Sequence, residues 1–274
     1  MSSKVLAHRL ISLGLIGLGV LSLLYGDFAM VWQPVPQGIP FRTPLAYLSG
    51  ALLLAGGVGM LVRSVSVRAA AVIAWFLFSW LVLLQFPKVM KAPADVGAWL
   101  GVGETLVLVT GSWSMFLLLK LRAGEPRNGF LSNDNGLRTA RLFFGMALPI
   151  IGLSHFVYVD ATAGMVPAWL PARKAFAYLT GAGHMAAGLG LLLGIFPRLA
   201  ATMEAIMISC FVVLLHAPGV VAAPHDRLQW TMLSIAIVLN GCCWAIAGTF
   251  AEQRWLATPG PARARITPHP AAVT

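Results

Sequence analysis

Long apolar runs alternate with short polar ones along the whole chain. Eight runs approach the roughly 20 residues that a helix needs to cross a bilayer's hydrocarbon core. They are Leu10–Val31, Thr43–Val62, Ala69–Phe86, Trp99–Leu121, Leu142–Val159, Lys174–Phe196, Leu199–Ala217 and Leu228–Phe250. This pattern predicts an all-α membrane protein with eight transmembrane helices. The first run follows MSSKVLAHR. It is too long for a signal-peptide core and no small-x-small cleavage site follows it, so it reads as a retained span.

The polar segments divide the runs. Arg122–Arg141, RAGEPRNGFLSNDNGLRTAR, is the longest stretch between spans and is rich in turn-forming residues. It predicts a four-span unit over 1–121, a cytoplasmic linker over 122–141 and a second four-span unit over 142–250. The segment 251–274 is Pro-rich and basic and reads as a disordered cytoplasmic tail. With the N-terminus inside, 13 of the 19 basic residues fall on the cytoplasmic side. That bias predicts both termini in the cytoplasm. Trp32, Trp99, Trp169 and Trp230 then fall at the outer interface, where amphipathic rings prefer to sit.

The two halves echo each other. A shift of 131 positions lays Pro167 on Pro36, Pro171 on Pro40, and Ala177–Gly181 on Ala46–Gly50. The same shift lays Gly188 and Gly190 on Gly57 and Gly59, Pro218 on Pro87, Trp230 on Trp99, and Trp244 on Trp113. A constant offset across several spans is the mark of duplication. Each unit has an even number of spans, so the two share one orientation. The expectation is two tandem four-helix bundles related by a pseudo-twofold axis along the membrane normal. The glycines at i and i+7 in the second span of each unit are expected to pack helices closely.

Composition changes this picture little. Hydrophobic residues make up 58% and charged residues 10%, whereas an ordinary soluble domain is about one quarter charged. The formal net charge of +10 lies mostly between the apolar runs, so it orients spans and does not imply nucleic acid. Cys210, Cys242 and Cys243 lie inside apolar runs and form no Cys-x-x-Cys pair, which argues against a dithiol enzyme.

Both units resemble the DoxX-like/DoxD family of small four-span bacterial membrane proteins. The second carries the likeness from Arg141 to Trp244, through Ser154-His155-Phe156, Val166–Pro171, Tyr178-Leu179-Thr180-Gly181 with Gly188–Leu192, and Leu215-His216-Ala217-Pro218. The first matches through Tyr47–Gly50, Phe86-Pro87-Lys88 and Glu104-Thr105-Leu106. Many family members have Glu where this chain has His184, and the first unit has Leu53 there. The resemblance implies a multi-pass protein of the bacterial inner membrane, associated with quinone-linked redox systems.

Ionisable residues inside a membrane are costly and are candidate functional groups. His155 and His216 are placed in the outer half of their spans, His184 near the midplane, and Glu104 below Trp99. We expect His155, Tyr158, His184 and His216 to line a ligand pocket in the outer half of the second unit. Imidazoles that donate from one nitrogen and accept at the other suit a quinone. No i,i+4 histidine pair or Glu-x-x-His unit points to a metal. Glu204 is expected to snorkel or to pair with Arg198 or a nearby basic residue, and His225-Asp226-Arg227 to form a surface ion-pair cluster. Whether the protein is an enzyme stays open at this point. A small-solute carrier, or a scaffold binding a soluble or membrane partner through the linker, fits the same residues.

Overall fold

In lipid a backbone amide has no water to bond, so a spanning segment satisfies its own N–H and C=O groups as a helix. The computed structural model describes residues 3–258. Among them there is no strand, and eight helices are long and apolar enough to cross a membrane. These are α1 (Ser3–Tyr25), α2 (Arg42–Leu61), α3 (Ser66–Lys91), α4 (Val96–Ala123), α5 (Asp134–Val157), α6 (Arg173–Leu193), α7 (Pro197–Ala222) and α8 (Arg227–Thr249). A short helix, Val159–Met165, lies between α5 and α6. We call distal the end opposite Ser3 and Thr249.

Local chemistry sets the boundaries. α1 stops at Gly26, whose φ of +59° ends the helix. Asn133 accepts from the N–H groups of Asn135 and Gly136, so α5 begins at Asp134, inside the segment expected to be linker. The tail also departs from expectation. Residues 251–258 fold back on the start of α7: Arg198 stacks on the Trp255 ring at 4.1 Å and donates to the Gln253 carbonyl. The remainder of the expected tail lies outside the described residues.

α3 and α7 each contain a wide turn, at Leu81–Gln85 and Val212–His216. In both, a proline follows at the second position beyond, Pro87 and Pro218. Proline lacks an N–H and crowds the preceding turn, and a local i→i+5 register relieves both problems. The two turns are 131 positions apart (212 minus 81). The same spacing separates the left-handed residues Phe41 and Ala172, and the capping residues Asp95 and Asp226.

The helices do not form two separate four-helix bundles, as the sequence led us to expect. Neighbours run in a closed ring from α1 to α8 and back to α1, and α4 crosses the middle to touch α8. α1 packs on α8 far more than on α4, and α5 packs on α4. Two lobes result. One is α1, α2 and α3, the other α5, α6 and α7, and both share α4 and α8 as walls. Of the apolar stretch of α4, and equally of α8, 72% is buried, against 44% or less for the other six.

Close backbone approach explains this arrangement. Helices in lipid gain no hydrophobic drive from touching, so small residues that bring backbones together supply the packing. A methyl group on Gly111 of α4 would lie 2.1 Å from Cys242 Cβ and 2.6 Å from its Cα. On Gly14 of α1 it would lie 2.6 Å from the Ser234 carbonyl of α8. The paired glycines of α2 and α6 do the same work: Gly57 sits against the Ser12 carbonyl and Gly188 against Pro149 and the Gly145 carbonyl.

At the distal end, the α1–α2 loop is tied to α8. Asp27 accepts from Arg42 at 2.6 Å and from Arg227 at 3.3 Å, while Arg227 also donates to the Phe28 carbonyl. Arg227 therefore reaches across to the first half and does not join a local cluster with His225 and Asp226. Asp226 caps α8 instead, through the N–H of Leu228. Burial pushes the Asp27 carboxyl up, but the Phe28 N–H and the two guanidiniums outweigh it and hold it below its ordinary value of 3.8.

Two predictions follow from these contacts. Gly111→Ala should cost about 1–3 kcal/mol through overpacking, read as a lowered thermal midpoint in detergent. Gly164→Ala, whose added methyl meets nothing within 4 Å, should leave the midpoint unchanged. Asp27 has a depressed pKa, so its stabilisation is present above 3.8 and is lost as pH falls through the lower folded value. Wild type should exceed Asp27→Asn in stability by on the order of 1 kcal/mol at neutral pH, and the gap should close on acidification below 3.8.

Candidate functional site

The second lobe encloses a cavity of about 470 Å³ between α4, α5, α6, α7 and α8. His155, His184 and His216 all line it. The wide turn of α7 ends at His216. His155 lies two residues before the end of α5, and His184 lies eleven residues into α6, or about 16 Å along the axis. The imidazoles of His155 and His184 meet edge to face with centroids 5.1 Å apart, and Phe211 stacks on His155 at 6.5 Å.

Two carboxylates face the same space. Glu204 of α7 does not pair with Arg198. Its Oε1 lies 2.9 Å from His184 Nδ1, and each side chain is 1% exposed. Arg198 is near the proximal end of α7, where the Gln253 carbonyl and the Trp255 ring hold it. Glu204, one turn and a half further in, finds the imidazole of α6 nearer than any guanidinium. Glu104 of α4 accepts a hydrogen bond from Trp32 Nε1–H at 2.8 Å.

Trp32 therefore is not an interfacial anchor like Trp169, which is 70% exposed. It is buried, and it brings the α1–α2 loop of the first half into the wall of the second-half cavity. Gln85 holds it there by donating to its carbonyl at 3.0 Å. Tyr158 is also displaced from its expected place. It caps α5 outside the cavity, and its hydroxyl donates to Asp95 Oδ1 at 2.9 Å and accepts from the Gly97 N–H. Tyr158 follows His155 by three residues and lies just past Val157, the last residue of α5, so its side chain sits at the helix end and not on the cavity face.

Thr180 Oγ1 lies 2.9 Å from the Phe176 carbonyl oxygen and 3.0 Å from His155 Nδ1. The Thr180 hydroxyl is thereby a partner for His155 Nδ1, in a direction set by the tautomer of the imidazole. His184 Nε2 and Glu204 Oε2 are buried with no protein partner. Buried polar atoms ordinarily find a partner, so these two orphan atoms make the floor of the cavity the candidate position for a ligand. Among the described residues no lysine or arginine lines the cavity, and no group of three or more His, Cys, Asp or Glu is arranged to hold a metal.

The first lobe is filled at the corresponding positions. Lowering each number by 131 turns His184 into Leu53, Glu204 into Ile73, Ile208 into Leu77 and Phe211 into Trp80. All four first-lobe side chains are at most 2% exposed. A separate apolar groove of about 560 Å³ lies between α3 and α4, lined by Trp75, Phe78, Trp113 and Phe116, and holds no ionisable side chain.

Paired substitution should separate stability from function here. Removing one partner of a buried ionic pair leaves the other unpaired, and Glu204→Ala should cost about 3–5 kcal/mol. The double change His184→Leu with Glu204→Ile, which installs the first-lobe residues, should be neutral or stabilising by about 1–4 kcal/mol. Thermal unfolding of the purified variants measures both.

A family model described as a domain of unknown function (DUF8561) matches residues 144–238, from α5 into α8. No curated protein and no solved structure matches the chain.

Proposed function

We propose that this protein is a DoxX-like integral membrane protein built by tandem duplication, whose second lobe binds a lipophilic molecule with an oxygen-bearing head. The observation that carries this reading is the convergence of three histidines and two glutamates on one otherwise apolar cavity. Such a mixture of apolar wall and few polar groups suits a small-molecule site. A quinone is the ligand class that fits best. Its ring and tail fill apolar space, and its carbonyls accept from an N–H of His155 or His216. Placed in the bacterial inner membrane with both termini cytoplasmic, the cavity lies in the outer half of the bilayer. There the protein serves as a membrane component of a quinone-linked redox system.

The test is binding of short-chain quinone analogues to the purified protein, read by quenching of tryptophan fluorescence, since Trp32 lines the cavity. Wild type should bind saturably. His155→Ala with His216→Ala should weaken binding by about tenfold or more, the equivalent of losing about 1.4 kcal/mol. Equal affinity in the double variant, or no binding to wild type, would contradict the reading.

A further inference from the structure

One proton decides what the His184–Glu204 pair presents to the cavity. With Glu204 ionised and His184 neutral, Nδ1–H donates to Oε1, Nε2 is a bare lone pair, and the pair carries one negative charge. A proton taken up at Nε2 changes this. The Nδ1 hydrogen either stays, giving imidazolium beside carboxylate, or moves to Oε1, giving neutral imidazole beside carboxylic acid. Both forms are neutral overall, and both place a hydrogen on Nε2. An uncompensated charge buried in hydrocarbon is strongly disfavoured, and no lysine or arginine among the described lining residues offsets it. A proton is the group that balances this pair.

The path for that proton runs toward the distal end. His155 stands 5.1 Å from His184, ring to ring. Glu104 lines the same cavity, and toward the distal end it is lined by His216 and by Thr162, Val166, Pro167 and Leu170. Cys210 and Cys243 are the other titratable groups facing the space. In the proximal direction, Ala187 of α6 and Ala201 of α7 are buried about one turn from His184 and Glu204. Chains of buried carboxyl and imidazole groups are the usual carriers of protons inside a membrane.

We propose that His184 and Glu204 form a one-proton site that exchanges with solution only at the distal end of the cavity, with His184 Nε2 as the atom of entry. Two features carry it: two buried polar atoms without partners, and a line of titratable groups leading from them in one direction. This property requires no ligand, so it stands or falls separately from quinone binding.

The experiment uses a hydrophobic carbodiimide on wild-type protein in sealed vesicles of known orientation, with pH set independently on each side. The reagent needs a protonated carboxyl. The acid O–H adds across one C=N bond, and the acyl group then shifts to nitrogen, leaving a stable adduct that mass spectrometry locates. Glu204 should be modified, and the yield should rise about tenfold per unit of pH lowered on the distal side until it saturates. Changing the proximal pH should have no effect. Modification that follows proximal pH, ignores pH, or spares Glu204 at all pH values would overturn the proposal. His184→Gln keeps an N–H for Glu204 but cannot carry a proton, and should abolish the distal response. A response retained in that variant would remove His184 from the path. If the variant shows no thermal transition, the two-sided wild-type experiment still decides.

Discussion

The close contact between α4 and α8 is the constraint on which the other features rest. Without a hydrophobic drive between helices in lipid, their association depends on backbones approaching within the reach of dispersion forces. Gly111 allows this against Cys242, where any Cβ would collide. With α4 and α8 joined at the centre, α1 and α5 pack outward across the seam, each on the last helix of the opposite half. Neither half closes on itself. The second-lobe cavity therefore takes Glu104 and Trp32 from the first half and His155, His184, His216 and Glu204 from the second.

The two lobes use similar frames for different ends. Wide turns, left-handed cap residues and glycine contacts recur at matched positions. In the first lobe Leu53, Ile73 and Trp80 fill the interior. In the second, a smaller Phe211 and a polar pair leave room. Tightly packed apolar residues give more stability than a buried pair with two unsatisfied atoms. The second lobe accepts a less stable interior.

Much of this was legible in the sequence. Run length alone marked the eight helices, because hydrocarbon thickness fixes that length. Helix ends were less visible, since Asn133 and Gly26 act through capping geometry and not through hydropathy. The three histidines are legible because each interrupts an apolar run, His155 and His216 in the outer half and His184 near the midplane. Tyr158 stands almost one turn beyond His155 in the sequence, but α5 ends at Val157 and the hydroxyl turns to Asp95. Glu204 was assigned to the nearest basic residue in sequence, yet the offset of 131 held the better signal: Leu53 and Ile73 are both replaced by polar groups, as a pair in contact would be. The swap of α1 and α5 across the seam left no such trace. Nothing in Trp32 itself distinguishes an interfacial ring from one turned into a neighbouring lobe.

The most direct test of the ligand site is an inventory of small molecules released on denaturing protein that was purified gently from its membrane. Wild type should release a lipophilic, oxygen-bearing compound at near one per chain. The folded His184→Leu, Glu204→Ile variant should release little of it. Recovery of phospholipid alone from wild type, or equal recovery of the compound from both proteins, would contradict the account.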